Sequence, residues 1–202
     1  MDPALVARAA ALASDGRAIV GIAGIPGAGK STLARDLVAA LENAGTRAAY
    51  LPMDGFHLSA AALARRGLAE RKGAPETFDV DAFVAMLGRI RAGEGVRAPD
   101  YDRGLHDVVP DRLAIPTHAT VIVTEGNYLG LRSEGWGAVR PALDELWFLD
   151  VPWDVARERL VARRIATGRA PEPAAAWVDT VDAANARLVA ATRVTADLVI
   201  PG

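Results

Sequence analysis

The chain has no cysteine, which excludes disulfides and thiolate metal sites outright. It has no apolar run approaching the ~18 residues a membrane span requires. Its start, Met1-Asp2-Pro3-Ala4-Leu5-Val6-Ala7-Arg8, carries an early acid and no uninterrupted apolar stretch, so no signal peptide is expected. An excess of charge is missing too. A net charge of -2 offers no electrostatic reason to expect a nucleic-acid or membrane partner. These absences make a cytoplasmic location the expectation, and association into a homodimer stays open. Lysine is scarce: of 23 basic residues only Lys30 and Lys72 are lysines. A chain that otherwise uses arginine draws attention to the places where a compact ammonium is kept.

Lys30 sits in Gly24-Ile25-Pro26-Gly27-Ala28-Gly29-Lys30-Ser31-Thr32, which fits the phosphate-loop pattern G-x-x-x-x-G-K-[ST] at every fixed position. The pattern has a mechanism. Gly24, Gly27, Ala28 and Gly29 let backbone N–H groups turn inward at a helix N-terminus, where they attract anions. Lys30 can reach the β- and γ-phosphates of a nucleotide, and Ser31 can ligate Mg²⁺, with Thr32 completing the nucleotide-contacting run. The context agrees, because 18–22 reads as a buried strand and 32–41 as an amphipathic helix.

Across the chain, apolar strands alternate with helical segments, which predicts a parallel sheet with helices on both faces. The 202 residues are expected to form one domain. A helix capped by Asp2 and Pro3 runs to about Asp15 and is closed by Gly16. Strands are predicted at 18–22, 47–52, 119–124, 146–150 and 196–200. Helices follow at 59–66, at 79–91 with Asp79 as cap and Gly93 as stop, at 153–166 and at 173–191. Ligands in such a sheet bind beyond the carboxyl ends of the strands. The phosphate loop, Asp54, Glu125 and an Arg-rich helix all fall there.

Glu125 closes an apolar run, the position of an acid that holds Mg²⁺ or its water. Asp54 is a candidate base that could orient and deprotonate an attacking hydroxyl. Asp54-Gly55 is also a turn dipeptide, and the residues alone leave both readings open. His106 and His118 read as loop residues, and the four tryptophans as core or helix packing. Arginines at 157–169 suggest a lid, about 157–175, that neutralises phosphate charge. Arg159, Arg163 and Arg169 are favoured over Arg157.

Met53-Asp54-Gly55-Phe56-His57 and Arg71-Lys72-Gly73-Ala74-Pro75-Glu76-Thr77-Phe78-Asp79 resemble the phosphoribulokinase and uridine kinase family of P-loop kinases. Three further matches follow in family order: Pro99-Asp100-Tyr101-Asp102-Arg103, Asp107-Val108-Val109-Pro110 and Val123-Thr124-Glu125-Gly126-Asn127-Tyr128. Within the family the chain is similar to bacterial pantothenate kinase and to small bacterial proteins named as fructose-transport-system kinases. The resemblance implies an α/β fold, the P-loop three-layer α/β/α sandwich with a five-stranded parallel sheet. It also implies ATP and Mg²⁺ as cofactors and a small hydroxylated molecule as acceptor. Asp54 becomes the base, Ser31 and Glu125 the metal residues, and Lys30 and Arg163 catalytic groups on the phosphate. His57, Lys72, Tyr101, Arg103 and Asn127 join Asp54 around the acceptor. Where pantothenate kinase has Tyr-Ser-His, this chain has Tyr101-Asp102-Arg103, which weakens pantothenate as substrate. Uridine kinases lack the 71–79 motif. The acceptor therefore stays open among sugar, pantothenate and nucleoside. A GTPase is excluded by the lack of an Asn-Lys-x-Asp. A P-loop ATPase or nucleotide-binding regulator without an acceptor remains the alternative.

Overall fold

The computed structural model describes every residue except 103, 106 and 134. The N-terminal helix α1, Pro3–Ala11, starts as expected, with Asp2 Oδ1 accepting from the Ala4 N–H at 2.8 Å. It ends earlier than the sequence reading placed it, and residues 12–15 form turns before Gly16. Strand β1, Ala18–Ala23, is buried along its whole length. Next come α2, Lys30–Asn43, and β2, Ala48–Pro52. Two further helices are α3, Ala60–Arg65, capped by Ser59, and α4, Val80–Arg91, capped by Asp79.

A hairpin then interrupts the α/β alternation. Its strands, β3 (Val96–Asp102) and β4 (Asp107–Ile115), pair antiparallel with an irregularity between Ala98 and Asp100. The sequence reading contained no strands here. Pro99 and Pro110 each remove a ladder donor, and the polar residues from Asp100 to Arg112 break the period-2 pattern that marks a strand. A two-stranded ribbon tolerates both, because each strand has an unpaired edge.

The chain returns to the main sheet with β5 (Val121–Glu125) and β6 (Glu145–Asp150), and after α5 (Trp153–Ala166) and α6 (Pro171–Trp177). A π-helical turn, Val178–Asp182, joins α6 to α7, Ala183–Ala190, and β7, Leu198–Pro201, closes the sheet. The expected helix 173–191 is thus one helical path with a widened turn inside it. Spatial order is β2-β5-β1-β6-β7, all parallel, with helices around it: a P-loop-type α/β/α sandwich. Order reverses at β1, so the carboxyl ends of β1, β2 and β5 open onto one crevice. The core beneath includes Ile19, Ile22, Leu37, Leu51, Trp136 and Trp147, each at most 2% exposed. Among the described residues no helix is long and apolar enough to cross a membrane.

One side chain pins this arrangement from below. Arg17, just before β1, donates to the carbonyls of Ile90, Glu94, Pro116, Thr117 and Ala119 at 2.6–3.1 Å. It adds a charged donor to acceptors at the end of α4 and in the loop leading to β5, two of which, Ile90 O and Pro116 O, also accept from the Gly93 and Ala119 N–H groups. Arg17→Met is expected to cost about 2–3 kcal/mol, since several charge-assisted bonds go at once and half-buried carbonyls lose their donor. Denaturant melts of the variant check this, and a change below about 0.5 kcal/mol would show that water replaces the guanidinium freely.

Candidate active site

The loop between β1 and α2 is shaped by steric necessity. Gly27 has φ +80°, and a Cβ there would stand 2.5 Å from the Ala156 carbonyl oxygen and 2.9 Å from Leu160 Cγ. Helix α5 therefore seats directly against the loop, and only glycine fits both constraints. Gly29, also left-handed, is the N-cap of α2, whose first residues Lys30, Ser31 and Thr32 line the cavity. Gly24 and Ala28 lie in the same turn, and Ala28 O accepts from Arg159 Nη1 at 3.1 Å.

Lys30 is 7% exposed, and its Nζ donates to Ile25 O at 3.0 Å and to Asn127 Oδ1 at 2.7 Å. Asn127, expected on the acceptor, thus holds the phosphate-loop lysine, while still lining the cavity. Ser31 Oγ donates to Glu125 Oε1 at 2.9 Å, and the Tyr50 hydroxyl donates to the same oxygen at 2.8 Å. Glu125 is 5% exposed. Burial and the nearby Asp54 carboxylate push its pKa up, against the pull of Lys30 and its two hydroxyl donors. The same burial and Glu125 raise the Tyr50 phenol far above its ordinary range. A hydroxyl and a carboxylate at this distance are hard oxygen donors suited to Mg²⁺. Among the described residues no cluster of three His, Asp or Glu side chains could hold a metal by itself. The donor set thus fits an ion that brings other oxygen ligands with it.

Asp54 lies in a tight turn, Met53–Phe56, at the carboxyl end of β2. A Cβ at Gly55 would clash with Pro99 O, so the β3–β4 hairpin packs onto this turn through backbone. The Asp54 carbonyl accepts from His57 N at 3.3 Å and lies 2.9 Å from His57 Nδ1, which must donate there. Desolvation lowers the pKa of His57, so the ring is neutral at pH 7. Its ring packs 3.9 Å from Phe78 and 5.0 Å from Tyr101. The Lys72 ammonium lies 4.9 Å above the Tyr101 ring centroid.

Lys30, Ser31, Asp54, His57, Lys72, Tyr101 and Glu125 border one cavity of about 680 Å³, within the range of small-molecule sites. Its wall runs from Gly27 and Lys30 past Asp54 and Glu125 to His57, Lys72 and Tyr101. The α5 side adds Arg159, Arg163 and Arg169. Arg157 is not on this wall; it pairs with Asp179 at 2.6 Å on the surface. Arg103, expected at the acceptor, lies outside the described residues. A second cavity of about 210 Å³ lies beside the first and shares Ser31, Arg35, Asp54, Tyr101 and Glu125 with it.

Several wall residues escaped the sequence reading. Tyr50 and Pro52 alternate on β2, opposite Val123 and Glu125 in register, so strand parity was the available signal for Tyr50. Arg35, whose guanidinium sits 5.0 Å over the Tyr50 ring, is one helical turn beyond Ser31. Trp177, expected in the packing, is partly buried and lines the cavity under the Arg164 guanidinium at 4.9 Å. The π-helical turn after Trp177 also brings Asp182 and Asn185 to the wall, and Asp182 accepts from Arg164 at 3.2 Å.

The sequence pattern of the phosphoribulokinase / uridine kinase family matches residues 19–202. The ATP-dependent kinase-like protein notR' of Aspergillus versicolor is 37% identical over 161 residues, spanning 74% of this chain and 94% of its own. A pantothenate kinase of Levilactobacillus brevis is 36% identical over 65% of this chain, which spans only 48% of that longer protein. A crystal structure from Silicibacter sp. TM1040, provisionally named a fructose transport system kinase, superimposes with a TM-score of 0.91. The two share 36% identity, and each chain is covered completely.

Proposed function

The chain belongs to the phosphoribulokinase and uridine kinase family, and from that premise we propose that it is an ATP-dependent kinase of a small hydroxylated metabolite, working as one domain. The observation that carries this reading is the continuity of the cavity. The phosphate loop and the His57–Lys72–Tyr101 wall line the same space, with Asp54 also on its wall. A pure ATPase has no use for the second wall.

In this reading the phosphate loop and Lys30 hold the nucleotide phosphates, with Arg159, Arg163 and Arg169 covering them from α5 and the turn after it. Ser31 and Glu125 would hold Mg²⁺, which when bound supplies positive charge against the phosphate oxygens. Asp54 accepts the proton of the acceptor hydroxyl as that oxygen bonds to the γ-phosphorus. The bond from phosphorus to the β–γ bridging oxygen breaks, and its electrons leave with ADP. Asn127 keeps the Lys30 ammonium aimed, and the Tyr50 phenol keeps the Glu125 carboxylate aimed.

ADP release measured with and without a panel of sugars, nucleosides and hydroxy acids tests the reading. The expected result is a turnover that rises at least ~10-fold with one acceptor and vanishes in excess chelator. A turnover indifferent to every acceptor would favour the ATPase or regulator alternative.

A further inference from the structure

Asp100 and Tyr101 reach the cavities from a two-stranded ribbon that is no part of the main sheet, and the ribbon bends to deliver them. The bend is visible in the register. Ala98 pairs with Leu113 and Asp100 with Val109, so β3 crosses the break with Pro99 alone while β4 uses Pro110, Asp111 and Arg112. Extra residues on one strand make a bulge, which bends a ribbon and re-aims the side chains beyond it. Pro99 is also the residue whose carbonyl a Cβ at Gly55 would strike, so the bend rests on the turn that carries Asp54. Past the bend, the Tyr101 ring lies 5.0 Å from His57 and borders both cavities, and Asp100 borders the smaller one.

Little in the ribbon's own pattern holds this register. The surplus on β4 is two residues, and a slip of two returns every side chain to its own face. Alternation therefore does not distinguish the bulged pairing from a regular one. Pro99 and Pro110 lack the N–H that a ladder would use. The bulge is also strained, because Asp111 has φ +52° and is the one non-glycine residue in the left-handed region among the described residues. One side chain counters this. Arg97, on β3 before the break, donates to the Asp111 carbonyl from Nε at 2.8 Å and from Nη2 as well. A planar fork on a single carbonyl fixes the orientation of that peptide group, which is what a left-handed residue needs. Beyond the break, Arg112 Nη1 donates to Asp102 Oδ2 at 2.6 Å and ties the bulge to the far end of β3. Neither Arg97 nor Asp111 borders a cavity.

Resting on the kinase reading, we propose that Arg97 is a positioning residue for phosphoryl transfer. Its guanidinium clamps Asp111 in the left-handed conformation, the clamp keeps the bulge, and the bulge holds Tyr101 and Asp100 against the site that contains Asp54. Arg97 touches neither nucleotide nor acceptor. Its effect on the reaction passes through the backbone of the ribbon.

Tyrosine is scarce enough to report on this directly. The chain has three, Tyr50, Tyr101 and Tyr128, so labelling with 3-fluorotyrosine gives one fluorine resonance for each. Tyr101→Phe assigns the resonance that belongs to the ribbon. In Arg97→Gln the Tyr101 resonance is expected to shift or split, while those of Tyr50 and Tyr128 stay in place. Adding Asp111→Gly should bring it back, since glycine takes a positive φ at no steric cost and needs no clamp. Transfer is then measured in the same proteins, with Mg-ATP and the panel acceptor that supports turnover. It should fall ~10-fold in Arg97→Gln and recover to within ~3-fold of wild type in the double variant, as when a change far from the chemistry misplaces a group at the site. Affinity for a nonhydrolysable ATP analogue should change less than ~2-fold, because the phosphate loop is untouched. The inference is overturned if the Tyr101 resonance stays put in Arg97→Gln, or if all three resonances move together as in a general loosening. It is equally overturned if Asp111→Gly fails to reverse the shift, or if the shift leaves transfer at the wild-type rate. A panel in which no acceptor is turned over would instead remove the kinase reading, and the fluorine spectra would still decide whether Arg97 holds the ribbon.

Discussion

Lys30→Ala is expected to bring phosphoryl transfer to background while the protein stays folded. The ammonium is the one lysine on the phosphate loop, is almost fully buried, and is held in place by Ile25 O and Asn127 Oδ1. A preorganised charge costs nothing to reorient as negative charge shifts during transfer, and so it acts at full strength in a water-poor site. Loss of one neutral donor of this kind costs ~10²–10³-fold, and loss of a full charge should exceed ~10³-fold. Folding is expected to survive because Asn127 lines the cavity, where water can take the place of the ammonium. Turnover and a thermal melt on the same preparation check both halves. Unchanged turnover in a folded Lys30→Ala protein would remove this loop from the chemistry.

Asp54→Asn separates a base from a turn residue. The turn's own bonds run through backbone, from His57 N and Nδ1 to the Asp54 carbonyl, and the hairpin rests on Gly55. An amide of the same size leaves all of these in place. Nucleotide affinity should therefore stay near wild type, while acceptor-dependent transfer falls ~10²–10⁴-fold, the usual contribution of a positioned general base. A structural aspartate predicts the opposite: a lower melting temperature, weaker binding of both ligands, and chemistry spared in the folded fraction. Near wild-type turnover in a well-folded variant would move the base elsewhere, with Glu125 the next candidate.

What could be read from the sequence followed a physical rule. Strands β1, β5 and β6 are central and buried, so they appear as unbroken apolar runs; α4 announces itself through the Asp79 cap and the Gly93 stop. The hairpin was invisible because Pro99, Pro110 and the polar residues between Asp100 and Arg112 hide the alternation that marks a strand. The site divided the same way. Lys30, Ser31, Asp54 and Glu125 sit at strand ends or in a motif whose spacing suggested the roles proposed for them. Tyr50 looks like any strand aromatic until β2 is paired with β5. Arg164, Trp177 and Asn185 reach the wall only through the packing of α5 to α7 and the widened π turn, which no local pattern marks. Asn127 was legible as a site residue, but its hydrogen bond to Lys30 needed coordinates.

The central claim is that one cavity joins a phosphate cradle to an acceptor hydroxyl. The most direct measurement follows the γ-phosphoryl group itself, using γ-labelled ATP with the acceptor panel and separating the products. The account predicts that the label appears on one acceptor's hydroxyl, in step with ADP formation, and that Asp54→Asn removes it. Label recovered only as inorganic phosphate, at a rate no acceptor changes, would contradict the account.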